Sequence, residues 1–168
     1  DKSDWTVTTN MTSDMDKKET ATEELPCEPE AVPAIQFVID NDYKKNTYTG
    51  KTTSGGAAIL LNLHEVLQVS GLKMTVAEGT PIRDYVIEIS TDGSTWTTVK
   101  TGAFENKSGS QTVYFENEQK DPWICTYDAA YVRLKTRSPE MTVTELDLLG
   151  PAGDNISCLL YTSDAADD

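Results

Sequence analysis

The sequence predicts an all-β domain, a sandwich or barrel of antiparallel strands. Two observations carry this. First, apolar and polar residues alternate over several short runs. In "DYVIEIS" Tyr85, Ile87 and Ile89 oppose Val86 and Glu88, and in "AYVRLKT" Val132 and Leu134 oppose Arg133 and Lys135. That period of two belongs to half-buried strands. Second, such runs recur at roughly ten-residue intervals with turn signals between them. No helical period of real length and no internal repeat accompanies them.

At 168 residues the chain has room for one ordinary domain with a sizeable core. Hydrophobic residues are 38% and charged residues 25%, as in soluble globular proteins. No apolar run approaches the ~20 residues of a membrane helix. The opening "DKSDWTVTTN" has neither the basic nor the apolar region of a signal peptide. The chain is therefore expected to begin within a longer or processed protein. The formal net charge is -14. Such a chain repels phosphate backbones, so nucleic acid is not an expected partner.

Taken in order, "WTVTT" after Asp4 is rich in β-formers and predicts a first short strand. Residues 11–33 are polar and acidic, with Pro26, Pro29 and Pro33 and no apolar period, and read as a long surface insertion. "AIQFVIDND" is a short apolar run ending in acids. "YKKNTYTGKTTSGG" reads as a polar loop closed by two glycines. Strands then follow in "AAILLNL", "GLKMTVA", "DYVIEIS", "TWTTVKT", "QTVYFE", "AYVRLKT" and "MTVTELDLLG". Asp92-Gly93 between two of them is a tight-turn signal, because glycine tolerates positive φ. The domain is expected to span residues 1–155. Beyond it, "CLLYTSDAADD" (Cys158 to Asp168) reads as a translated sequencing adapter in an environmental gene. This tail is expected to be non-native and is set aside from fold reasoning. Of the other cysteines, Cys27 and Cys125 both sit in loop-like surroundings. A disulfide between them would suit an exported protein, and the pairing stays open at this stage.

The set "FVIDND" (Phe37 to Asp42), "ILLNL" before "VSGLKM", "IRDYVIEISTDGSTWTTV", "YVRL" (Tyr131 to Leu134) and "TELDLLG" (Thr144 to Gly150) resembles the discoidin, or coagulation factor V/VIII type C, family. It is most similar to the bacterial family 32-type carbohydrate-binding modules. The resemblance runs from about Trp5 to Gly150. It implies an eight-stranded antiparallel jelly-roll-like β-sandwich of the galactose-binding-domain-like kind, with ligand loops gathered at one end. On that fold Trp96 and Tyr85 are expected to pack into the core. The chain departs from the family where Asp40-Asn41-Asp42 and Tyr48 stand in place of the usual Asp-Gly-Asp/Asn and Trp, and at Asn62-Leu63-His64.

Catalysis finds little support in the residues. The only histidine, His64, sits at a strand end, so no Ser-His-Asp set can be assembled without it. No phosphate loop, HExxH or CxxC pair occurs, and the chain reads as non-enzymatic. A cation is the second chemistry. Ca²⁺ takes six to eight oxygens, and "DNDYKKNT" offers several within one loop. The resemblance implies a structural Ca²⁺ held by Asp40, Asp42, Thr47 and Glu145, with the Val38 backbone. The alternative is an acidic turn capped by its own Asx hydrogen bonds. The third chemistry is a sugar face, which needs an aromatic platform and a few polar groups. The candidates are Trp123, Tyr48 and Tyr43, with Asn46, Lys51 and Arg83 beside them; Lys44, Lys45 and Tyr127 share their loops.

These readings converge on a non-catalytic glycan-binding module. It is expected to be a monomeric piece of a larger multidomain bacterial protein, extracellular or at the cell surface. The acidic charge and polar loops argue against membrane insertion. The competing reading is a protein-adhesion or purely structural β-sandwich with no sugar site. Exposure of Trp123 or Tyr48 in a concave patch near Asp40 favours the first; their burial favours the second.

Overall fold

The computed structural model describes residues 2–18, 31–120, 125–151 and 156. Its strands are β1 (Thr6–Thr9), β2 (Lys17–Lys18), β3 (Ala31–Val32), β4 (Tyr48–Lys51), β5 (Ala58–Val69), β6 (Gly71–Val76), β7 (Asp84–Ser90), β8 (Thr97–Ala103), β9 (Gly109–Tyr114), β10 (Tyr127–Lys135), β11 (Glu140–Val143) and β12 (Glu145–Leu149). Two short 3-10 helices cover Lys2–Asp4 and Ala34–Ile39. All pairings are antiparallel. One sheet has the order β1-β5-β10-β7-β8; the others are β12-β6-β9, β11-β4 and the small β2-β3 pair.

The alternating strands behave as their sequences dictate. Tyr85, Ile87 and Ile89 from β7 and Val132 and Leu134 from β10 point into a core shared with Leu61, Leu72, Met74, Val143 and Leu148. Cross-register pairs fix the two ends of the sandwich. Thr9 pairs with Ile59, Lys135 with Ala58 and Val86, and Asp84 with Ala103. The end of β10, the starts of β5 and β7 and the end of β8 therefore share one end. The Asp92-Gly93 turn and the His64 bulge lie at the other.

Three local expectations are corrected. Residues 48–51 form a strand where a loop was expected. Tyr48 and Gly50 face inward and Thr49 and Lys51 outward, an alternation that the glycine conceals. The last run divides at Thr144 into β11 and β12. The described part of the 11–33 insertion packs against β4. Met11 is buried, Thr12 and Lys51 exchange backbone hydrogen bonds at 2.9 Å, and the Ser13 hydroxyl donates to the Thr49 carbonyl. Trp96 lies outside the core. Its ring is half-buried beneath the Arg133 guanidinium, 3.8 Å from the ring centroid, with Tyr131 edge-on. The register shift in the β7–β8 pairing between Ile87 and Glu88 changes the phase along the two strands and leaves Trp96 on the outer face. Residues 19–30, 121–124, 152–155 and 157–168 lie outside the described set. The expectations for Cys27, its pairing with Cys125, Trp123 and the tail from Cys158 to Asp168 fall there.

Candidate functional site

Two polar places are built on the second layer, one at each end of β4. The first is the loop that leads into it. The 3-10 helix Ala34–Ile39 buries Ala34, Ile35 and Val38 and ends with the Asp40 amide donating to the Phe37 carbonyl. Asn41 then adopts φ 64, a left-handed conformation asparagine accepts more readily than most residues. The Asp42 amide donates to Asp40 Oδ1, and Asn46 Nδ2 donates to Asp40 Oδ2. Asp42 Oδ1 accepts the amides of Lys44 and Lys45, each at 3.0 Å. Those two amides hold the Asp42 carboxyl below its ordinary range. The Thr47 hydroxyl meets that of Thr144 at 2.7 Å, and Thr144 Oγ1 also accepts the Ala77 amide.

Beneath this loop lies a group of charges that the sequence reading did not assemble. All five residues of β12 are buried. Leu146 and Leu148 face the core, so Glu145 and Asp147, at positions i and i+2, share the opposite face. The Lys2 ammonium enters between them. It donates to Glu145, to Asp147 Oδ1 at 2.7 Å and to the Leu146 carbonyl at 3.2 Å. The Asn41 amide donates to Glu145 Oε2, and the Tyr43 hydroxyl to Asp147 Oδ1, both at 3.0 Å. Burial pushes the Glu145 carboxyl up to about 8, against the Lys2 ammonium and the Asn41 amide, which pull it down; the adjoining Asp40 carboxyl raises it further.

This arrangement fits an ammonium rather than a calcium ion. Calcium needs six to eight oxygens at about 2.3–2.6 Å. Asp42 caps the loop's own amides, Thr47 is turned to Thr144, and both Asp40 oxygens accept protein donors. Val38 is fully buried in the core cluster, and Glu145 is paired with Lys2. Among the described residues no three acids, histidines or cysteines converge as a metal site would require. Among the described residues, Glu145 Oε1 and Asp147 Oδ2 are the buried carboxylate oxygens without a hydrogen-bond partner.

The second place is a groove of about 440 Å³ at the other end of β4. Thr49 and Gly50 of β4 and Met141 and Thr142 of β11 form its floor, and Thr80 to Asp84 and Ser138 its walls. Pro81 and Ile82 are buried and anchor the wall, and the Arg83 carbonyl accepts the Phe104 amide at 2.7 Å. The Arg83 backbone is thus pinned while its guanidinium is exposed. Asp84 is committed to the 136–139 turn. It accepts the Arg137 amide, the Arg137 side chain and the Thr136 hydroxyl, and these bonds, led by the Arg137 amide, hold its carboxyl below the ordinary range. A neighbouring recess of about 280 Å³ shares Thr49, Gly50 and Glu140 and adds Asp14 and Lys51.

The expected ligand residues therefore divide. Arg83 and Lys51 line the two adjoining recesses. Tyr43 and Asn46 belong to the loop over Glu145 and Asp147, where the Tyr43 ring centroid lies 5.5 Å from the Lys2 ammonium and 5.8 Å from that of Lys73. Tyr48 is corrected. It is 1% exposed, because its place on β4 turns the ring inward beneath the groove floor, and it offers no face to a ligand. Among the described lining residues the groove holds no aromatic ring. A third recess, of about 470 Å³, lies between β8 and residues 116–120, with Tyr127 on its wall. Lys100 and Glu116, which form an ion pair with each other, also line it.

The fold is that of a discoidin-type module. The F5/8 type C domain family model matches residues 18–145, and the chain belongs to that family. No curated protein matches the sequence. Among solved structures it is similar to the family 32 carbohydrate-binding module of Clostridium perfringens NanJ in complex with galactose. That match has 18% identity and a TM-score of 0.62, covering 86% of this chain and 92% of that one. An F5/8 type C domain of a Bacteroides fragilis protein has 18% identity and a TM-score of 0.63, covering 88% and 92%. Chitosan-binding module 1 of a Paenibacillus chitosanase/glucanase has 20% identity and a TM-score of 0.59, covering 86% and 94%.

Proposed function

We propose that this chain is a non-catalytic glycan-binding module of a larger extracellular or cell-surface protein, and that the groove beside Arg83 takes the sugar. The observation that carries the reading is the placement of Arg83. An exposed guanidinium on a pinned backbone stands at the edge of an open polar groove, at the end where the loops after β1, β6, β8 and β10 gather. A planar guanidinium offers paired donors to vicinal hydroxyls, and Glu140, Thr142 and Ser138 supply acceptors and further donors. Family membership supports the same reading, as do structural neighbours crystallised with galactose or described as chitosan-binding. Recognition in this groove would rest on hydrogen bonds rather than ring stacking. Single-site affinity is then modest, and avidity would come from linked modules.

The lack of an aromatic ring among the described groove residues favours one competing reading, a protein-adhesion module. A broad glycan array separates the two. The sugar reading expects a cluster of hits sharing one terminal residue. A blank array from a folded sample would transfer the proposal to a protein partner.

A further inference from the structure

Lys2 is 1% exposed. A lysine is almost never so deeply buried unless its charge is paired. Here the three donors of one ammonium meet three acceptors on three successive residues of β12: Glu145, the Leu146 carbonyl and Asp147 Oδ1. The same two carboxyl groups reach outward to the 40–47 loop. Glu145 Oε2 accepts the Asn41 amide and Asp147 Oδ1 accepts the Tyr43 hydroxyl. The Tyr43 ring also lies 5.5 Å from the ammonium. The loop is therefore tied to one positive charge through two carboxyl groups, at the place where the family resemblance led us to expect calcium.

We propose that the Lys2 ammonium is the structural cation of this module. It orders the 40–47 loop in place of a divalent ion, and the chain needs no calcium to fold or to hold that loop. The charges support this assignment. The Lys2 ammonium is ion-paired with both Glu145 and Asp147, and all three side chains are fully buried. A calcium ion in the same space would have to displace an ammonium that is covalently part of the chain, and so always present. The acids at i and i+2 of an otherwise apolar strand are explained by the same pairing. Two carboxyl groups on one buried face require a cation, and residue 2 delivers it.

The test uses the full chain, with thermal unfolding in EDTA and in millimolar calcium chloride, calorimetric titration with calcium, and hydrogen exchange at the Asn41 amide. For the wild type the proposal expects the same Tm in both buffers, no stoichiometric calcium binding, and a protected Asn41 amide without metal. Lys2→Met strands buried carboxylates, so its Tm is expected to fall by on the order of 10 °C in EDTA, and Asn41 protection should be lost. Adding Glu145→Gln to that variant is expected to recover part of the loss, because one stranded acid is gone. A wild-type Tm that drops in EDTA, calcium binding at one equivalent to the wild type, or a Lys2→Met protein as stable as the wild type in EDTA would each overturn the proposal. If Lys2→Met does not fold, the wild-type arms decide alone.

Discussion

Replacing Tyr48 by phenylalanine tests whether β4 turns that residue inward. The ring is 1% exposed, and its hydroxyl has no hydrogen-bond partner among the described residues. Burial pushes the phenol up to about 12, so the hydroxyl is neutral at any working pH. A buried, unsatisfied hydroxyl costs roughly 1–3 kcal/mol. Removing it leaves the ring and its packing in place. Tyr48→Phe is therefore expected to be neutral or to stabilise by about 1 kcal/mol, a rise of about 2–4 °C in Tm for a chain of this size. The companion variant is Gly50→Ala. A Cβ at Gly50 would lie 2.3 Å from the Tyr48 hydroxyl and 2.7 Å from two ring carbons. The enclosed ring cannot swing clear, so about 1–3 kcal/mol should be lost to overpacking. Urea unfolding followed by tryptophan fluorescence, with both variants beside the wild type, measures each. Loss of stability in Tyr48→Phe would refute the unsatisfied-hydroxyl argument. A fall in glycan affinity in that variant, with its stability intact, would restore Tyr48 to the ligand face.

Other outcomes follow from the outer face and the turn. Arg133→Ala removes a guanidinium stacked on Trp96 and bonded to Glu88 at 2.9 Å. A loss of about 1 kcal/mol and a red shift of tryptophan emission are expected, and Arg133→Lys should not restore the stack. An unshifted emission spectrum would contradict the contact. Asp92 accepts the amides of Thr95 and Ser94 and the Ser90 hydroxyl, which hold its carboxyl at about 2 against an ordinary 3.8. Its folded value is depressed, so its stabilisation is present above about 3.8 and is lost as pH falls toward 2. Acid unfolding should be shallower for Asp92→Asn than for the wild type, and an NMR titration placing Asp92 near 3.8 would remove the argument.

Much of the fold was legible because alternation is a local signal. Tyr85, Ile87, Ile89, Val132 and Leu134 declare an inner face without reference to anything distant. Gly93, at φ 79, sits where the Asp-Gly pair predicts a turn. The failures share a cause. Trp96 obeys the phase set by its register with β7, which no local pattern reveals. Tyr48 and Gly50 do alternate with Thr49 and Lys51, but a glycine carries no apolar mark, so the strand read as loop. The Lys2 pairing spans 143 residues. Its visible half was the alternation of Glu145 and Asp147 with leucines in the last strand, a pattern that asks for a partner charge without naming it. The candidate groove was legible only through Arg83 and Lys51. Their neighbours Glu140 and Thr142 arrive by the β4–β11 pairing.

The central claim is that the groove over β4 and β11 binds a sugar. Its most direct test is an NMR titration of the isotope-labelled chain, and of Arg83→Ala, with galactose, N-acetylgalactosamine and a chitosan oligosaccharide. The Arg83 side chain is exposed, so the variant should keep the fold. The account predicts saturable shifts from at least one of these sugars, largest at Arg83, Glu140 and Thr142 and lost in the variant. Shifts centred on residues 97–101 and 116–120 or on the 40–47 loop, or no shifts with any of the three, would contradict it.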